Sequence, residues 1–160
     1  LEAGVSVVQI VGEFEDKLNA ADLTLLIQKP ETPVYVMADG RHFWRVIDNL
    51  MNNICKYAQP GTRVYVDLRE NGGQVELIFR NTSRYPLNIS SEELMERFVR
   101  GDESRNTEGS GLGISIAKSL MELMGGSFML YVDGDLFKVV LGFAQIAEEK
   151  EPLNEDESGK

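Results

Sequence analysis

Apolar residues recur at Phe43, Val46, Ile47, Leu50, Ile54 and Ala58. At 3.6 residues per turn these six share one stripe, so the spacing predicts a helix from Asp39 to Ala58 with that stripe in the core. Asp39 is placed to cap its start, and Pro60-Gly61 stops the chain just beyond its end. Upstream, Val7, Val8, Ile10, Val11, Phe14 and Leu18 predict an amphipathic helix over 6–19. Thr24 to Gln28 is a short strand, halted by Pro30 and Pro33, and Val34 to Met37 alternates as another.

Downstream, 62–69 and 74–80 alternate apolar and polar positions around Asn71-Gly72-Gly73, which predicts a β-hairpin. Its second strand carries Val75, Leu77 and Phe79 on one face and ends at Asn81-Thr82-Ser83. Pro86 follows as a breaker, then Ser91-Glu92-Glu93-Leu94 opens a short helix to Phe98. Residues 100–109 are polar, charged and glycine-flanked, the composition and length of a mobile lid. A helix over 111–124 has Leu112, Ile116, Leu120 and Leu123 at core spacing and ends at Gly125-Gly126. A second hairpin, 127–132 and 137–143, turns at Asp133-Gly134-Asp135. The pattern predicts an α/β (α+β) two-layer sandwich, with helices on one face of a mixed, mostly antiparallel sheet. Strands and helices do not alternate regularly, which argues against a doubly wound parallel sheet.

Composition narrows the class without naming a function. The chain has 160 residues, 42% hydrophobic and 26% charged, which suits one globular domain. A net charge of −10 argues against nucleic acid as a partner. Part of that charge sits at the end, where 148–157 carries six acidic residues and one Lys. The expected division is a domain over 1–146 and a solvated acidic tail over 147–160. One cysteine, Cys55, permits no intrachain disulfide and no Cys-rich zinc site. No apolar run is long enough to cross a bilayer as a helix.

The candidate chemistry lies beside the long helix's apolar stripe. There Asn49, Asn53 and Lys56 fall within roughly 60° of one another. Asn competes for backbone hydrogen bonds and is a poor helix former, so a pair one turn apart calls for a reason. An amide oxygen is a neutral ligand for a hard cation such as Mg²⁺, and an ammonium can hold phosphate. A solvated polar flank is the competing explanation. A second stretch, Gly109-Ser110-Gly111-Leu112-Gly113, runs directly into a helix. Backbone amides there can approach an anion closely, but the Lys-Ser/Thr pair of a P-loop is missing.

Taken in order, the features are more specific than any one alone. Arg45 to Tyr57 resembles the N box, Glu96-Arg97-Phe98-Val99-Arg100 the F box, and Gly109 to Gly113 the second glycine box of the sensor histidine kinase nucleotide-binding domain. The wider family includes gyrase, the mismatch-repair ATPases and the heat-shock chaperone ATPases. The resemblance covers most of Asp39 to Phe143 and implies ATP held between helices and a lid, the Bergerat fold. It implies that Asn53 binds the Mg²⁺ bridging the phosphates, with Asn49 assisting at metal or phosphate. Lys56 and Tyr57 would contact phosphate or the nucleotide's edge. Gly109, Gly111, Leu112 and Gly113 belong to the loop whose amides meet the phosphates. Arg97 or Arg100 would bring positive charge near the γ-phosphate, and Phe98 would anchor the lid.

Two departures matter. The family's adenine-binding Asp and the Gly after it correspond here to Asn81 and Ser83. An Asn oxygen still accepts a hydrogen bond, without the charge. The hydrolytic members place a Glu four residues before the metal-binding Asn, and here that position is Asn49, which is no general base. The resemblance therefore implies phosphoryl transfer to a histidine on a separate dimerisation domain, with a response regulator downstream. His42, at the start of the long helix, is expected to be a helix-surface residue and not that acceptor. Residues 1–20 would lead in from the dimerisation hairpin, and the domain would be the cytoplasmic part of a membrane sensor. The alternatives are a non-catalytic regulatory module of the same fold, supported by Asn81 and Ser83, and a stand-alone ATPase or serine kinase, disfavoured by Asn49.

Overall fold

The computed structural model describes residues 1–104 and 112–147, without the side chains of 101–104 and 112. In chain order the elements are α1 (Ala3–Gly12), α2 (Glu15–Ala20), β1 (Thr24–Gln28), β2 (Tyr35–Val36), α3 (Gly40–Tyr57), β3 (Arg63–Asn71), β4 (Gln74–Leu87), α4 (Ser91–Ser104), α5 (Leu112–Leu123) and β5 (Ser127–Ile146). The strands form one sheet in the order β1-β3-β4-β5-β2. Among the described residues only β1 with β3 is parallel; the β3–β4, β4–β5 and β2–β5 pairs are antiparallel. Helices cover one face, as the patterning predicts.

The core forms where α3 lies on the sheet. All six stripe residues are buried, together with Met51, against Val64, Val66, Val75, Leu77, Phe79, Leu141 and Phe143. Phe43 and Phe143 meet as a tilted ring pair with centroids 5.4 Å apart, locking α3 to β5. Asp39 caps α3, its carboxylate accepting from the Arg41 and His42 amides at 2.9 and 3.1 Å.

Four local expectations change. The predicted 6–19 helix is two helices, because Glu13 and Phe14 donate to Ile10 and Val11 in tight i−3 bonds after Gly12. That break turns Phe14 into the core, 5% exposed, while Val8 stays outside. Strand β4 continues through Pro86 to Leu87, with a register shift between Thr82 and Leu87 that accommodates the proline. Helix α4 passes Phe98 and continues to Ser104, so the start of the expected lid is helical. The rest of that stretch, 105–111, lies outside the described residues, as does the tail from 148 onward.

The fourth correction concerns the face of α5. Ile114, Ala117 and Met121 are fully buried, while Leu123 is 70% exposed and Ile116 and Leu120 are half-buried. Two apolar stripes run along this helix, and the one carrying small Ala117 is chosen. Beside it Gly113 allows a close approach to α3.

The second hairpin is present within β5. A side chain at Gly142 would run into Ser127, although fifteen residues of straight strand would span about 50 Å. The extended run therefore doubles back, and Gly134 makes the turn at φ +61°.

Candidate functional site

A cavity of about 280 Å³ opens between the C-terminal half of α3, the far end of β4 and α4. Asn53 and Tyr57 come from α3, Asn81, Ser83, Tyr85 and Leu87 from β4, Leu94, Arg97 and Phe98 from α4, and Phe137 from β5. Residues more than forty positions apart thus meet because α3 ends beside β4. Gln59 N donates to Thr82 O at 2.8 Å, and Ala58 bridges Ser83. The extension of β4 past Ser83 supplies the wall that the expected early strand end would have left out.

The floor is mostly apolar. Phe98 meets Phe137 edge-on at 6.4 Å, which fixes α4 over the sheet. Phe98 thus packs α4 against β5 at the cavity wall. Asn81 pairs with Phe137 in the β4–β5 ladder and is 5% exposed. Its side-chain amide makes no hydrogen bond among the described residues and is turned to the cavity it lines. Ser83 Oγ accepts from the Tyr85 amide at 3.2 Å, which leaves the hydroxyl hydrogen to donate elsewhere.

Three asparagines of α3 have three different settings. Asn52 is fixed: its amide donates to Asp48 O at 3.0 Å, and its oxygen accepts from Lys17 Nζ at 2.8 Å. Asn53 faces the cavity. Asn49 lies beside the start of α5, and its buried Nδ2 has no hydrogen-bond partner among the described residues. A buried, unpaired amide donor costs about 1–3 kcal/mol, and such costs gather at functional sites.

Other expected residues are placed around this centre. Lys56 is half-buried on α3, one residue from Tyr57. Arg97 lines the cavity and pairs with Glu93 at 3.2 Å; Arg100 lies one turn on, 4.0 Å from Glu96. Gly113 adjoins Asn49, while Gly109 and Gly111 lie outside the described residues and Leu112 is described in its backbone only. Sequence reasoning missed Tyr85, Leu87, Leu94 and Phe137 as lining residues. Only Leu94 carried a signal, as the first apolar position of a capped helix.

Cys55 and His42 are not among the residues that line the cavity. Burial pushes the Cys55 thiol up and keeps it protonated. His42 is half-buried in the first turn of α3, and its backbone amide serves the Asp39 cap. Among the described residues no cluster of three His, Cys, Asp or Glu side chains could hold a metal by itself. No described helix is long and apolar enough to cross a membrane.

Comparison with known proteins agrees with this geometry. The probable sensor protein PcoS of Escherichia coli is 34% identical over 110 residues, 66% of this chain and 24% of that protein. The chain thus spans about a quarter of the length of this curated relative. The solved catalytic domain of the histidine kinase ThkA superposes with a TM-score of 0.75 at 18% identity, covering 91% of this chain and 93% of that one. Full-length ShkA, solved in complex with AMPPNP, gives a TM-score of 0.71 at 19% identity, covering 92% of this chain and 32% of that one. The fold is that of histidine kinase catalytic domains. Residues 38–152 match the family described as histidine kinase-, DNA gyrase B- and HSP90-like ATPase, and the chain belongs to that family.

Proposed function

We propose that the chain binds Mg-ATP in this cavity and donates the γ-phosphoryl group to a histidine on a separate dimerisation domain. The observation that carries the reading is the meeting of Asn53, Asn81 and Arg97 around one apolar-floored cavity, with Gly113 against Asn49 beside it. The base enters among Leu87, Leu94, Phe98 and Phe137 and is met by Asn81 and Ser83. The phosphates extend towards Asn53 and the glycine-rich start of α5, where backbone amides favour anions.

The donor set suits Mg²⁺. That ion keeps several waters and binds through one or two protein oxygens plus substrate phosphates, and it does not need a carboxylate cage. Asn53 Oδ1 is such an oxygen, and the unpaired Asn49 Nδ2 is a donor suited to phosphate. When bound, Mg²⁺ neutralises charge between the phosphates. Arg97 and Arg100 add positive charge from α4, and Lys56 contacts phosphate. Asn49 cannot activate water near neutral pH, which favours transfer over hydrolysis.

The same reading assigns the wider context. The dimerisation domain precedes this one, a response regulator takes the phosphoryl group onward, and the whole protein is a membrane sensor with this part in the cytoplasm. A second reading, a regulatory module without nucleotide, is favoured by Asn81 and Ser83 in place of Asp and Gly. Calorimetric titration with AMPPNP, with and without Mg²⁺, separates the two. Saturable binding enhanced by Mg²⁺ supports the kinase reading; no heat from a folded sample supports the regulatory one. Transfer from labelled ATP to an added dimerisation domain tests the second step.

A further inference from the structure

We propose that Asn81 makes the base site ambivalent between 6-amino and 6-oxo purines, so that the chain takes GTP as well as ATP. The inference rests on the Mg-ATP reading above. A primary amide carries an acceptor oxygen and an NH₂ donor side by side. Adenine presents an N6 donor beside the N1 acceptor. Guanine presents the O6 acceptor beside the N1–H donor. The amide can pair two-fold with either edge, provided its terminal torsion is free to turn by 180°.

At Asn81 that freedom exists. The residue is 5% exposed and lines the cavity, yet no hydrogen bond among the described residues holds its amide in one orientation. Its amide borders the cavity, where the edge of a ligand would meet it. Leu87, Leu94, Phe98 and Phe137 surround the same space, and an amide pair in such a setting is stronger than in water. Among the described residues no carboxylate lines the cavity to repel the guanine O6. Ser83 keeps a hydroxyl hydrogen that can serve a purine acceptor, because its oxygen already accepts from Tyr85 N. An Asp at this position would present acceptors alone and would reject O6.

The experiment is calorimetric titration of the chain with AMPPNP and with GMPPNP in the presence of Mg²⁺, repeated on Asn81→Asp. The expected result is that the parent chain binds the two within about tenfold of each other. Asn81→Asp should keep AMPPNP and weaken GMPPNP by roughly tenfold or more, the usual value of a lost two-fold base contact. A parent chain that binds AMPPNP but discriminates against GMPPNP by more than about a hundredfold overturns the proposal. An unchanged ratio in a folded Asn81→Asp does the same. If the variant does not fold, the ratio in the parent chain decides. Absence of AMPPNP binding by folded parent chain is a different failure, since it removes the Mg-ATP reading itself.

Discussion

Gly113 packs directly on Asn49: a β-carbon at Gly113 would sit 3.4 Å from Asn49 Oδ1 and 3.5 Å from both its Cβ and its backbone oxygen. The glycine-rich entry to α5 and the asparagine flank of α3 are thus one contact. These distances leave room for one methyl group and no more. Gly113→Ala should leave thermal stability unchanged or raise it by up to about 1 kcal/mol, through helix propensity. Gly113→Val adds branches that meet Asn49 and should lower it, by about 1–3 kcal/mol. Parallel melting curves of the two variants check the ordering, and equal stabilities would mean the contact is loose.

Asn49 exchanges stability for a ready donor. Its buried Nδ2 is unpaired among the described residues, so Asn49→Leu, which fills similar volume without that donor, should raise unfolding stability by about 1 kcal/mol. The same substitution should weaken AMPPNP binding. Denaturant melts and calorimetry on one preparation read both, and a variant destabilised as well as weakened would contradict the account.

Asn53→Ala separates binding from folding in the other direction. The side chain is half-buried at a cavity edge, so its loss should cost little stability. The Mg²⁺-dependent increment in AMPPNP affinity should disappear. A variant that keeps the full Mg²⁺ effect would place the metal oxygen elsewhere.

Asp39 gives a pH dependence with a definite sign. The hydrogen bond from the His42 amide chiefly holds the Asp39 pKa below its ordinary value; desolvation opposes it, and the Arg41 amide and the nearby His42 and Arg41 charges add to the lowering. A lowered folded-state pKa means the cap stabilises α3 above the usual carboxylate range. That contribution is lost as pH falls through the depressed value. Asp39→Asn keeps a capping oxygen but not the titration, so it should flatten the acid limb of the melting temperature. Asp39→Ala should lower the melting temperature at neutral pH as well.

Removing Phe98 should loosen α4 locally. Its ring meets Phe137 edge-on at 6.4 Å and closes one side of the cavity. Phe98→Ala should speed amide exchange along α4 while leaving α3 protected, because α3 is held by the sheet core. Uniform loss of protection would show that the anchor belongs to the global core.

The elements with strong periodicity were legible before any coordinates. The stripe from Phe43 to Ala58 and the alternation of Val75, Leu77 and Phe79 each occupy the buried face that spacing assigns. The motif order Asn49–Asn53, Arg97–Phe98, Gly109–Gly113 was legible too, since residue type and spacing need no fold to be seen. The face of α5 was not. Leu123 had the better hydrophobicity, but Ala117 and Gly113 had the size that lets α5 reach α3, and close packing decided in their favour. The cavity likewise could not be read from the chain. Its wall depends on β4 running past Ser83 to Leu87 against Gly134 and on α4 folding back so that Phe98 meets Phe137. The sequence by itself determined which faces are apolar and which polar residues stand beside them, because those follow from fixed helical and strand periods. Only the tertiary structure decided that Asn53, Asn81 and Arg97 share one space and that Asn81 enters it without a hydrogen-bond partner among the described residues. Contacts between residues distant in sequence depend on how elements pack, and no local period encodes that.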